Sequence, residues 1–161
     1  MPEVSIAAPS EELGAHPEAL PTPHAEEGQV AKPKLVCVLG GPGSGKATQC
    51  ERLVDELHAE YGVVHFSTGD LLRHAVEDGH EDSAEIERAM VRGEPVRDAI
   101  ILQLMLKAID PDHAPEGRCV LLEGFPGSSM QAQMLEETFG KPDAVLLFQC
   151  PEAAMLERVI E

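Results

Sequence analysis

The sequence predicts an α/β fold, a parallel sheet with flanking helices. Two observations point there. From Lys34 onward, short apolar runs alternate with amphipathic helical patterns, the order that builds strand–helix–strand crossovers. The stretch Leu39-Gly40-Gly41-Pro42-Gly43-Ser44-Gly45-Lys46-Ala47-Thr48 follows one apolar run and opens a helical pattern. Strand, glycine loop and helix in that order make a P-loop.

The elements follow in turn. Residues 1–33 hold six prolines and six glutamates against a single basic residue, Lys32. Such a segment buries too little apolar surface to offset its ordering entropy, so an acidic, Pro-rich disordered tail is expected. The folded part, 34–161, begins with an apolar strand at Leu35-Val36-Cys37-Val38-Leu39. A helix over 46–61 places Cys50, Leu53, Val54 and Leu57 on one face, and Gly62 suits its end. Val63-Val64-His65-Phe66 reads as a second strand. Ser67-Thr68-Gly69-Asp70 offers caps for a helix through Leu71, Leu72 and Val76. A short helix over 82–92, with Ile86 and Met90 on one face, stops at Gly93. A longer one runs over 96–109 and ends near Pro111. Cys119-Val120-Leu121-Leu122 is a third strand, closed by Glu123-Gly124. A helix over 129–138 precedes a fourth strand, Ala144-Val145-Leu146-Leu147-Phe148. Pro151 opens a last helix at its favoured first position.

The loop carries the chemistry. Its glycines let successive N–H groups turn inward around an anion, where a Cβ would clash or forbid the backbone angles. Lys46 adds a positive charge for the terminal phosphates of a nucleotide, and the following helix adds its N-terminal partial charge. The carboxyl ends of parallel strands, where the loop lies, are where such sheets bind ligands.

Composition narrows the partners. The formal net charge of −17 repels phosphate backbones and argues against nucleic acid. No apolar run reaches the ~20 residues of a membrane span, and no secretory signal is visible, so a cytoplasmic protein is expected. Cys37, Cys50, Cys119 and Cys150 form no C-x-x-C pair. They read as small buried hydrophobes in a reducing compartment rather than a metal site or disulfide framework. The seven histidines show no ligand spacing and read as surface or packing residues.

Three further segments follow the loop: Phe66-Ser67-Thr68-Gly69-Asp70-Leu71-Leu72-Arg73, Arg92-Gly93-Glu94-Pro95-Val96 and Leu121-Leu122-Glu123-Gly124-Phe125-Pro126. In order and spacing they resemble the nucleoside monophosphate kinases, adenylate kinase in particular, and the resemblance covers nearly everything from Lys34 onward. It implies a P-loop nucleoside-triphosphate-hydrolase-type sheet and reversible phosphoryl transfer from Mg²⁺·ATP to AMP, giving two ADP, in a monomer. By the resemblance, Gly43, Ser44, Gly45, Lys46, Ala47 and Thr48 cradle the ATP phosphates. Lys46 and Arg73 are the catalytic pair. Thr68, Arg73, Glu94, Pro95, Val96, Gly124 and Gln131 form the AMP site, residues 67–96 being its mobile segment. Arg73 forks onto the acceptor phosphate; pairing with Glu77 at i+4 is the alternative. Gln131 can match an adenine edge with its donor and acceptor, or stand exposed on its helix. Glu123 stands beside the magnesium waters.

The pattern breaks in four places. Ala47 replaces the family's glycine. Glu123 replaces aspartate, moving the carboxylate outward by one methylene, which octahedral Mg²⁺ tolerates poorly. Gly127 replaces an arginine that grips the acceptor phosphate, a loss of about 1.5–3 kcal/mol. The resembled enzymes also continue past the position of Glu161 into an arginine-bearing lid, a fifth strand and a closing helix. On that comparison the chain lacks them, has an open sheet edge and an exposed apolar face, and has weak or absent activity. It is then a fragment, a spliced or diverged product, or a chain completed by a partner, acting as an impaired phosphotransferase or as a nucleotide-binding or interaction module on the same scaffold.

Overall fold

A computed structural model describes the backbone of residues 3–7 and the whole of residues 33–109 and 118–160. Strands β1 (Glu3–Ala7), β2 (Lys34–Gly40), β3 (Val64–Ser67), β4 (Cys119–Glu123) and β5 (Ala144–Gln149) form one sheet in the order β1-β5-β2-β4-β3. Strand β2 is central and parallel to both β4 and β5, and β3 is parallel to β4. The helices are α1 (Lys46–Tyr61), α2 (Thr68–Glu77), α3 (Ser83–Arg92), α4 (Asp98–Ala108), α5 (Ser129–Phe139) and α6 (Glu152–Ile160).

Strand alternation divides the core in two. Leu35 and Cys37 of β2, with Val120 and Leu122 of β4, face a large cluster that also holds Ile86, Ile100, Met105 and Leu135. Val38 of β2 and Leu121 of β4 face the other side, against Cys50, Leu53, Val54 and Leu57 of α1. So α1 covers one face while α2 to α5 cover the other. Helix α4 is buried at Ile100, Ile101, Leu102 and Met105, which explains its nearly continuous apolar run.

The parallel α/β sheet and its helices match the expectation, and α1 spans the predicted residues. Four details differ. Glu3–Ala7, expected within the disordered tail, forms a strand that pairs antiparallel with β5, from Glu3 opposite Gln149 to Ala7 opposite Val145. The edge of β5 is therefore paired rather than open. The segment alternates polar and apolar residues over its first four positions, a strand pattern that the surrounding prolines and glutamates outweighed. The rest of the tail, Pro111 and Glu161 lie outside the described residues. Met90 is 38% exposed, and Ala89 joins Ile86 in the core instead, because the buried face advances by three residues rather than four. Pro151 sits just outside α6, its carbonyl accepting from the Ala154 and Met155 amides at 3.0 and 3.1 Å. Leu147 of β5 and Leu156, Val159 and Ile160 of α6 are 38–80% exposed.

Candidate active site

The loop between β2 and α1 is held from both ends. Gly45, the residue before α1, has φ 88° and gives the helix no side-chain cap, so the first amides of α1 are left for an external acceptor. Gly43 has φ 74°, and a Cβ there would lie 2.6 Å from the Met155 carbonyl oxygen. No larger residue fits while α6 lies against the loop. Lys46 Nζ donates to the Gly41 carbonyl at 3.2 Å and stands 3.9 Å from Glu123 Oε1. Ser44 is fully buried, and its Oγ is the one buried side-chain polar atom without a hydrogen-bond partner among the described residues. Ala47 and Thr48 are exposed at the start of α1. An unpartnered hydroxyl, uncapped amides and a lysine thus fall within one turn, a donor set of the kind that can hold an anion.

The neighbouring strand ends carry the second group. Glu123 closes β4 and is 8% exposed. Its Oε2 accepts from His65 Nε2 of β3 at 2.9 Å, and its Oε1 faces Lys46. Oxygen donors beside a phosphate cradle suit a hydrated Mg²⁺, which binds through few carboxylates and keeps several waters. Cys50 lies beneath, in the second turn of α1. Burial first, and then the Glu123 charge, push its thiol up to about 12, partly opposed by Lys46.

Of the residues expected on the acceptor side, Thr68 and Gly124 lie at the ends of β3 and β4, whereas Gln131 stands on α5 and residues 94–96 between α3 and α4. Thr68 opens α2, and its Oγ1 donates to the Glu123 carbonyl at 3.1 Å. The Gly124 amide donates to the Val38 carbonyl at 3.0 Å, which ties β4 to β2. Ser67 caps α2 by accepting from the Asp70 amide. Arg73 projects from α2 half-exposed and pairs with Asp70, not with Glu77. Asp70 is held below the usual carboxylate range mainly by its hydrogen bond from Arg73. Gln131 is buried, not exposed. Its Oε1 accepts from the Gly127 amide at 2.6 Å and its Nε2 donates to Asp98 Oδ1 at 2.6 Å. Both ends of that amide are engaged within the protein. Glu94 and Pro95 are exposed, whereas the Val96 side chain joins the core.

Three site residues were not singled out from sequence. Arg158 of α6 reaches back across the loop and donates to the Gly43 carbonyl at 2.9 Å. Asp98 anchors both Gln131 and the Ser128 hydroxyl, which donates to it at 3.0 Å. His65 is Glu123's partner. A basic residue in the last turn of α6 was the available signal for Arg158. Asp98 and His65 act across 33 and 58 residues of chain, which no local pattern encodes.

A parallel sheet with a glycine-lysine loop at the carboxyl end of its central strand defines a P-loop nucleotide-binding protein. Among such proteins the chain belongs to the adenylate kinase family: a family model described as adenylate kinase matches residues 38–161. The chain is 38% identical over 130 residues to UMP-CMP kinase 2 of Oryza sativa subsp. japonica, covering 80% of this chain and 51% of that protein. It is 39% identical over 130 residues to uridylate kinase of Saccharomyces cerevisiae, covering 79% and 61%. Against human adenylate kinase isoenzyme 5 it is 35% identical over 130 residues, covering 81% and 22%. The chain spans between 51% and 64% of the length of three UMP-CMP kinases it matches. No helix among the described residues is long and apolar enough to cross a membrane.

Proposed function

We propose that the chain binds Mg²⁺·ATP on the loop and a nucleoside monophosphate, AMP, beside α2, and that it serves reversible phosphoryl transfer between them in the cytoplasm as a monomer. The observation that carries this reading is the convergence on one cradle of Lys46, the uncapped start of α1, the unpartnered Ser44 hydroxyl and Glu123. Phosphoryl transfer asks a protein mainly for positioning and charge stabilisation. Lys46 is already held at the loop by the Gly41 carbonyl, so it meets incoming phosphate with little reorganisation. Mg²⁺ bound with ATP would neutralise charge on the phosphates, with Glu123 holding its waters.

On the acceptor side, Arg73 exchanges Asp70 for the AMP phosphate. The exchange is inexpensive because both side chains are half-exposed. Thr68, Gly124 and the backbone of Glu94, Pro95 and Val96 line the nucleoside. Adenine recognition by Gln131 requires its amide to leave Asp98 and the Gly127 N–H. That engagement, with glycine at 127 and glutamate at 123, favours weak acceptor binding and an activity below that of the relatives. The names of the relatives include kinases of UMP and CMP. Thr68, and Gln131 once its amide is released, favour AMP among these acceptors.

A coupled assay of ADP formation from ATP and AMP, run beside UMP and CMP, tests this reading. Slow turnover with AMP and less with the pyrimidine nucleotides is expected. Faster turnover with UMP or CMP would reverse the acceptor assignment. Nucleotide binding without turnover would leave the chain a binding module.

A further inference from the structure

Beside the loop, three elements bring three different donor atoms together. Cys50 Sγ from α1, a His65 ring nitrogen from β3 and a Glu123 carboxylate oxygen from β4 all lie within 4.8 Å of one another. His65 Nε2 and Glu123 Oε2 are already 2.9 Å apart. Cys50 is 1% and Glu123 8% exposed. We propose that Cys50, His65 and Glu123 bind one divalent transition-metal ion of the zinc class.

The donor set selects the ion. Thiolate sulfur, imidazole nitrogen and one carboxylate suit borderline-soft zinc or cobalt, whereas Mg²⁺ and Ca²⁺ take oxygen donors. Bonds of about 2.0–2.3 Å put tetrahedral ligand atoms roughly 3.3–3.8 Å apart. Donors within 4.8 Å therefore close on an ion by small side-chain rotations. Three protein ligands leave the fourth position to water, the open form of such sites. The apolar wall of Val38, Val63, Leu121 and Phe148 around Cys50 limits competition from solvent. Ion binding releases the Cys50 thiol proton to solvent. Lys46 is the opposing charge, 3.9 Å from Glu123 Oε1, and its flexible stem lets the ammonium swing toward the loop.

The second such cluster among the described residues is His80, Glu81 and Asp82. It offers no sulfur, and Asp82 is already engaged by Arg97 at 3.4 Å, so it serves as a control. Resting on the proposed nucleotide reading, a further consequence follows: the ion occupies Glu123 and so opposes Mg²⁺·ATP.

The test is titration of the reduced, metal-free full chain with Co²⁺ in the absence of nucleotide. One Co²⁺ per chain is expected, with a thiolate-to-cobalt charge-transfer band in the near ultraviolet. Cys50→Ser should abolish the band, and His65→Gln and Glu123→Gln should each weaken binding at least tenfold. His80→Gln should leave the band intact. Absence of the band, its survival in Cys50→Ser, or unchanged affinity in both His65→Gln and Glu123→Gln would overturn the site. Circular dichroism checks the fold of each variant, and if Cys50→Ser does not fold, the other two decide. Stoichiometric Zn²⁺ should then weaken Mg²⁺·ATP binding at least tenfold. Unchanged ATP affinity overturns the antagonism, and a chain that binds Co²⁺ but never ATP counts against the nucleotide reading instead.

Discussion

At the proposed acceptor site, Gly127 and Gln131 are joined directly. The Gly127 amide donates to Gln131 Oε1, and a Cβ on residue 127 would lie 3.4 Å from that oxygen. Gly127 is not among the glycines with positive φ, so neither backbone conformation nor room for a Cβ bars a side chain there. Gly127→Arg should therefore fold normally and bind AMP roughly ten- to a hundredfold more tightly, the equivalent of one charge-assisted contact. Calorimetric titration checks it, and an unchanged AMP affinity counts against the pocket built on Arg73 and Gln131. The strand, glycine loop and helix were readable in sequence and are present in that order, because glycines and a lysine after a strand have few other uses. The partners of the site residues were not. Arg73 turns to Asp70 rather than Glu77, Gln131 is tied down by Asp98, and Arg158 reaches the loop from 115 positions away. Each pairing depends on how elements dock.

Among the elements, α3 separates burial from periodicity. Ile86 is fully buried and Met90 is 38% exposed on the same helix. Ile86→Ala should cost about 2–5 kcal/mol of stability, and Met90→Ala less than about 0.5 kcal/mol. Urea unfolding of the two variants measures the contrast, and equal losses would contradict the packing described. Helix boundaries were legible wherever a cap is local, as with Gly62 after α1 and Ser67 before α2. Strand β1 was not, because its reason lies in β5, the strand it pairs with. Removing residues 1–32 should expose that edge and promote self-association. Light scattering after size-exclusion chromatography reads this out, and a trimmed chain that stays monomeric at all concentrations would remove β1 from the account.

The molecule as a whole joins two apolar clusters across one sheet, and Cys37 on the central strand is fully buried in the larger one. Burial raises its thiol from 9.0 to about 11. The folded state thus holds this proton more tightly than the unfolded chain. The resulting stability is complete below pH 9, and it is lost at about 1.4 kcal/mol per unit as pH rises toward 11. Chemical denaturation of Cys37→Ala beside the parent between pH 8 and 11 should show a flatter decline in the variant, and parallel declines would contradict it. Against a formal charge of −17, the proposed cradle would be a local exception, its backbone amides and Lys46 attracting an anion that an acidic surface repels. That exception is tested most directly by following backbone amide resonances while adding a non-hydrolysable ATP analogue with Mg²⁺. Shifts concentrated at Gly41 to Thr48, and abolished in Lys46→Met, are the predicted result. Shifts centred elsewhere, or unchanged by loss of the lysine, would contradict the account.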